Sequence, residues 1–161
     1  MVGMVKSANA IVTVTILIHQ KVKTMDYIKF HNLKPGDRIV TPKSLAGIIQ
    51  HHAVYLGQNQ YGQDLIAENA YGKFVAIADA KKFFDEYPQI TRVEVFKGNS
   101  FERRTAVERA LKLLGKPYSL IDFNCEHFAN YVQHGKTESF QVNRGIVGLL
   151  ILIIVGIAVS K

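Results

Sequence analysis

The chain has 161 residues, with 20 Lys and Arg against 13 Asp and Glu and a formal charge of +7. That length suits one domain with a real core and excludes two of ordinary size, while a single cysteine excludes an internal disulfide and is consistent with a reducing compartment. The positive charge suits an anionic membrane surface or a nucleic acid and does not choose between them; the lack of a Lys/Arg run, a zinc-ligand array or an RNA-binding aromatic signature, together with a lipophilic C-terminus, favours the membrane.

Residues 1–24 form an extension whose stretch 8–18 is apolar apart from Asn9, Thr13 and Thr15. It is too short to span a bilayer. Three readings stand: a weak signal-peptide core lacking the small-residue cleavage pattern, an edge strand suggested by the Thr-Val-Thr-Ile alternation, or sequence upstream of a translation start at Met25. From Met25 a soluble domain, 25–135, is legible. A Pro35-Gly36 turn leads to a strand at 38–40; after a loop at 41–50, strands at 53–56 and 65–68 are joined by a polar, glycine-bounded turn at 57–62 and make a hairpin. Strands at 74–77 and 91–96 flank a short helix with Asp79 as N-cap, Phe83 and Phe84 on its buried side and Pro88 after it. Ser100 is the expected N-cap of the next helix. Its apolar stripe is Ala106, Val107, Ala110, Leu111 and Leu114, its stop is Gly115 and Pro117, and Glu102, Arg103, Arg104, Glu108, Arg109 and Lys112 make a solvated face. In the crossing at 116–123, Tyr118 and Phe123 read as packing residues. These elements define an α+β fold, a small antiparallel sheet with segregated helices.

The stretch 123–135, F-N-C-E-H-F-A-N-Y-V-Q-H-G, carries the only cysteine. Asn124 is a good N-cap, Cys125, Phe128, Ala129 and Val132 recur on one helical face, and Gly135 supplies the stop. A cysteine in the first turn sits where unpaired N–H groups and the helix dipole favour an anion, so its pKa is expected to fall toward a nucleophilic thiolate. Such a thiol needs a base, usually remote in sequence, and Q-H-H-A-V-Y-L-G at 50–57 offers imidazoles at the start of an apolar strand. No spacing of these groups suits a metal, and no cofactor is expected.

Together the two stretches resemble the lecithin:retinol acyltransferase (LRAT-like) family, whose signatures are an N-C-E-H-F block, here Asn124, Cys125, Glu126, His127 and Phe128, and an upstream H-x-A/G-I/V-Y block, here His51, His52, Ala53, Val54 and Tyr55. The segment 33–39, L-K-P-G-D-R-I, looks like the P-G-D element that opens this domain. The resemblance implies a circularly permuted relative of the NlpC/P60 cysteine hydrolases, with the cysteine at a helix N-terminus packed against a sheet that bears the histidine. It also assigns the catalytic histidine to His51 and makes His52 the variable position. Strand alternation separates the two as well: only one imidazole can face Cys125, with Ala53 and Tyr55 on its side and Val54 beside His52. Where vertebrate members carry a second, orienting histidine, this chain has L-I-A-E-N-A at 65–70. Glu68 or Asn69 is then the expected acceptor for the Nδ1–H of His51. Asn124, Glu126, His127 and Tyr55 are supporting residues. Glu126 adds negative charge to the first turn and His127 is available to a neighbouring loop, since the two lie about 100° and 200° round the helix from Cys125 and cannot all share one contact surface.

A polar linker, 136–144, precedes the uncharged stretch 145–159 and the terminal Ser160 and Lys161. As a helix the fifteen residues cover roughly 23 Å of a roughly 30 Å hydrocarbon core, so a C-terminal hydrophobic helix at 145–161 is expected to anchor in membrane only with snorkelling at Arg144 and Lys161 or local thinning. The expected molecule is thus a membrane-attached cysteine acyltransferase or phospholipase A, its catalytic domain in the cytoplasm. His51 deprotonates Cys125, a phospholipid ester donates the acyl group, and water or a small-molecule acceptor takes it. A cysteine peptidase or amidase and a non-enzymatic membrane-docking module are the alternatives.

Overall fold

A computed structural model describes residues 27–43 and 49–139 together with Val142 and Gly145. The extension 1–24 and all of the expected anchor except Gly145 lie outside the described residues. After a helical turn at 27–30, the order is β1 (Arg38–Pro42), β2 (Gln50–Gln58), β3 (Asp64–Asn69), β4 (Val75–Asp79), α1 (Ala80–Glu86), β5 (Arg92–Glu94), α2 (Ser100–Lys112) and α3 (Cys125–His134). The fold is α+β. Its sheet has five strands in the order β4-β3-β2-β1-β5, every neighbour antiparallel.

The sheet is covered on both faces, which explains why β2 is buried almost end to end rather than alternating. On one face Ile39, Ala53, Tyr55 and Ile66 pack with Leu33 and with Phe83 and Phe84 of α1; on the other Val54, Ala67 and Val75 meet Ala106 and Ala110 of α2 and Phe128, Ala129 and Val132 of α3. Of the stripe expected on α2, only Ala106 and Ala110 are buried, while Leu111 and Leu114 stay partly exposed. Two alanines make a narrow line where α2 meets α3, while Leu111 lies about 100° round the helix from Ala110 and Leu114 lies beyond its last residue.

Asp79 caps α1 as expected, its Oδ1 accepting from Lys81 N at 2.9 Å. The cap of α2 is Asn99 rather than Ser100. Its side chain accepts from the backbone N–H of Phe101 and Glu102 while Glu102 accepts from Asn99 N at 2.7 Å, a closed capping box that draws the helix start back one residue. Gly57 also departs from expectation, for it lies within β2 instead of opening the turn. The register with β3 shifts between Tyr55 and Gly57, and the glycine takes φ +94° where an added Cβ would stand 3.0 Å from Pro35.

Arg103 and Arg109 are not part of a solvated face. Arg103 Nη1 pairs with buried Asp37 Oδ1 at 2.9 Å and donates to Pro35 O at 2.8 Å, and the same Asp37 oxygen accepts from Phe96 N while the other accepts from Lys34 N. The Pro-Gly-Asp turn is therefore a hub that joins α2 to the approach of β1. Tyr55 joins the hub through its backbone, accepting from Gly36 N and donating to Asp37 O. Arg109 donates to Val132 O and Gln133 O, covering carbonyls at the end of α3.

Candidate active site

α3 begins where β2 begins. Asn124 Oδ1 accepts from Glu126 N at 2.9 Å and His127 N at 3.1 Å, and His127 Nδ1 accepts from Asn124 N at 3.2 Å, so the cap is closed from both sides. His127 thus serves its own helix rather than a neighbouring loop. Asn124 Nδ2 holds Leu120 O at 3.0 Å, and Asn69 Nδ2 holds Phe123 O at 2.8 Å, so the entry to the helix is fastened at consecutive points. Gly135 ends α3 with φ +71°.

Cys125, Glu126 and His127 are all buried, although they point in different directions from the helix. Part of the reason is that residues after α3 fold back on it: Ser139 Oγ donates to Glu126 Oε2 at 2.6 Å, a cover that spacing within the helix cannot reveal. The Cys125 Sγ lies 3.7 Å from Gln50 O, against the first residue of β2.

The imidazole of His51 is buried, and its Nε2 meets Glu68 Oε2 at 2.6 Å. This corrects the expected geometry, in which Glu68 accepted from Nδ1. Nδ1 makes no hydrogen bond in this arrangement and is the nitrogen left open to a proton from the Cys125 thiol, which influences the ring's charge. In the neutral ring this assigns Nε2–H as donor to the carboxylate and Nδ1 as acceptor of the thiol proton. Asn69, the other candidate for the third member, is committed instead to the Phe123 carbonyl. Tyr55 shares the His51 face, as alternation requires, but its hydroxyl donates to Asp64 Oδ1 at 2.6 Å, so its side chain braces the β2–β3 hairpin.

The electrostatics follow from these contacts. Burial pushes His51 down, but its bonds to Cys125 and Glu68 outweigh burial and raise it to about 9. Burial would raise the Cys125 thiol, but the His51 hydrogen bond and charge, the His52 backbone N–H and the Lys43 ammonium outweigh it and hold the thiol below its ordinary value. The opposite shifts favour the thiolate–imidazolium form of the pair. His52 goes the other way: burial and then the charge of Arg38 lower it to about 4, which keeps it neutral near pH 7 on the opposite face of β2.

Alternation separates the two imidazoles onto opposite faces as expected, yet the helix that carries Cys125 packs on the His52 and Val54 face, not on the His51 face. Cys125 nonetheless acts on His51, because it is the first residue of α3 and stands at the end of β2, beside Gln50, rather than over the middle of the strand. Two participants escape the sequence reading. Tyr87, just past α1, stacks on the His51 ring with centroids 4.8 Å apart and planes 22° apart, covering one face of the imidazole and restricting its rotation. Tyr118 is not only a packing residue, for it lines the cavity that Cys125 opens on. Neither has a local sequence signal; both are brought in by tertiary folding.

That cavity has a volume of about 320 Å³, with walls from Ile49, Tyr118, Leu120, Ile121 and Val142 and with Lys43 beside them. A thiolate at a helix N-terminus, a base oriented by a carboxylate and an apolar chamber are together competent for acyl transfer through a thioester. The oxyanion donors are fewer than the helix start suggests. The Glu126 and His127 N–H groups are taken by Asn124, which leaves the Cys125 N–H as the first-turn donor for a developing oxyanion.

A family model for lecithin retinol acyltransferase matches residues 31–138, a span that contains the cysteine helix, the histidine strand and the Pro-Gly-Asp hub. The chain belongs to this family, whose members are acyltransferases and related hydrolases acting on lipids. No curated protein matches the chain.

Proposed function

We propose that the chain is a membrane-attached, cysteine-dependent phospholipid acyltransferase or phospholipase A. The observation that carries this reading is the buried Cys125, His51 and Glu68 arrangement opening on an apolar cavity. His51 Nδ1 holds the thiol proton while Cys125 Sγ attacks the ester carbonyl, and the Cys125 N–H stabilises the oxyanion. The tetrahedral species collapses as the C–O bond breaks; His51 returns the proton to the lysophospholipid oxygen, leaving an acyl-cysteine. Water, an amine or an alcohol then gives its proton to His51, attacks the thioester and releases the thiolate. Glu68 holds the imidazole in this orientation and stabilises its cation through Nε2.

Family membership and the apolar walls favour a lipid ester over a peptide. The order of a histidine strand before a cysteine helix fits the permuted NlpC/P60 arrangement and is part of the same reading. So is a C-terminal anchor at 145–161 that keeps the catalytic domain at the cytoplasmic surface; among the described residues no helix is long and apolar enough to cross a membrane. Purified full-length protein offered a fluorogenic phospholipid and a fluorogenic peptide amide is expected to release fluorophore from the lipid by at least about a hundredfold in kcat/KM over the amide. Preference for the amide would replace this reading by a peptidase, and activity on neither by a docking module.

A further inference from the structure

The turn before α3 holds two aliphatic side chains in water. Ser119 and Phe123 exchange both backbone hydrogen bonds at 3.1 Å, Ser119 Oγ donates to Asp122 Oδ2 at 3.0 Å and accepts from Asp122 N, and Asn124 Nδ2 secures Leu120 O. A turn tied at so many points cannot fold its tip inward. Leu120 and Ile121 stand there 63% and 64% exposed, on the rim of the Cys125 cavity. Adjacent aliphatics kept rigidly exposed at the mouth of a site mark a surface that something covers.

What surrounds them indicates the partner. Tyr118 N donates to Lys73 O and Phe74 pairs with Pro117, so the loop bearing Tyr71, Lys73 and Phe74 lies beside the turn. Tyr71 is 66% and Phe74 57% exposed, and Lys43 Nζ sits 5.1 Å from the Tyr71 ring and 5.8 Å from the Tyr118 ring. Lys116 Nζ lies 3.6 Å over the Phe123 ring. The acid of the turn, Asp122, is turned back onto Ser119. Aliphatic tip, exposed aromatic flank and three lysines complement the layers of an anionic bilayer in order: hydrocarbon, interface and negative headgroup.

We propose that this face docks on an anionic lipid surface, with Leu120 and Ile121 inserted below the headgroups and Lys43, Lys73 and Lys116 paired with lipid phosphates. The cavity mouth then lies at the bilayer, and an acyl chain enters without crossing water. That purpose rests on the phospholipid reading above, but the docking itself does not, and it is separate from any anchoring by residues 145–161.

The chain contains no tryptophan, so a single substitution is a clean reporter. In the full-length Cys125→Ala protein, where no turnover intervenes, Leu120→Trp is compared with Phe101→Trp, a site on α2 that is 68% exposed and outside the cavity lining. With phosphatidylcholine–phosphatidylserine vesicles, the Leu120→Trp emission is expected to shift to the blue and to be quenched by bromines on the acyl chains, while the Phe101→Trp emission does neither. Adding Lys73→Glu and Lys116→Glu is expected to weaken the quenching several-fold; with Cys125 restored, these two changes leave turnover of a short-chain ester, assayed as monomers, unchanged. Unquenched Leu120→Trp, or equal quenching at both sites, overturns the proposal. So does a blue shift without vesicles accompanied by a doubled mass, which means that a second copy covers the face. Quenching in a protein whose wild type hydrolyses no phospholipid would refute the phospholipid reading and leave the docking face standing.

Discussion

At the scale of single residues, the site depends on which nitrogen of His51 meets which partner. Nε2 is held by Glu68 and Nδ1 makes no hydrogen bond, so Glu68 orients His51, and Cys125 and Glu68 together favour its charged form. His51→Ala is expected to lower kcat/KM by several orders of magnitude, whereas His52→Ala, on the other face, acts through stability and leaves the rate of the folded protein within about tenfold. Equal losses in two folded variants would contradict this assignment. Glu68→Gln tests the electrostatics more finely. The thiolate–imidazolium pair persists from the lowered pKa of Cys125 up to the raised pKa of His51, so activity should fall on the alkaline side near pH 9 as the imidazolium loses its proton. Without the carboxylate the imidazolium is less stable, and the alkaline limb moves to lower pH while turnover drops less than in His51→Ala. An unmoved limb in a pH–rate profile would remove Glu68 from the site.

At the scale of elements, the two halves of the site are held by different devices. β2 is fixed by neighbours on both sides in the sheet, and α3 by its cap, by Asn69 and by the Arg109 contact at its far end. The Asp37–Arg103 pair ties α2 into the same frame, with the carboxylate almost wholly buried. Arg103→Leu leaves that carboxylate short of its charged partner and is expected to cost about 3 kcal/mol in denaturant unfolding; a cost below about 1 kcal/mol would reduce the hub to a surface pair. Much of this was legible in the sequence. Asn124, Cys125 and Gly135 delimit α3 by local chemistry alone, and Asp79, Phe83 and Phe84 delimit and orient α1. What escaped lies in long-range contacts. Nothing near Arg103 in the sequence names Asp37 as its partner, nothing near Tyr87 names His51, and the cover that Ser139 places on Glu126 requires the chain to return. Gly57 misled because a glycine reads the same at a turn and at a bulge until its partner strand is known.

At the scale of the whole molecule, the proposed function divides labour between a globular domain for acyl chemistry and a C-terminal stretch that would concentrate it on membrane. Deleting 145–161 is expected to give a soluble protein with its thermal transition retained. It should still turn over a short-chain or micellar substrate, yet work poorly on vesicles, and carbonate-resistant membrane association should be lost. If the tail packs in the core instead, its loss unfolds the domain, and the full-length chain fractionates as soluble. The weak vesicle binding that remains after deletion should fall with salt, since the lysines near the cavity contribute to it alongside the insertion of Leu120 and Ile121.

The central claim is an acyl group carried on Cys125. Intact-protein and peptide mass spectrometry of the full-length chain, quenched in acid during turnover of a phospholipid, tests it most directly. The account predicts an adduct of one fatty acyl mass on the peptide containing Cys125, labile to hydroxylamine, and neither adduct nor turnover in Cys125→Ala. Turnover retained in Cys125→Ala, or an acyl group found on another residue while Cys125 stays free, would contradict it.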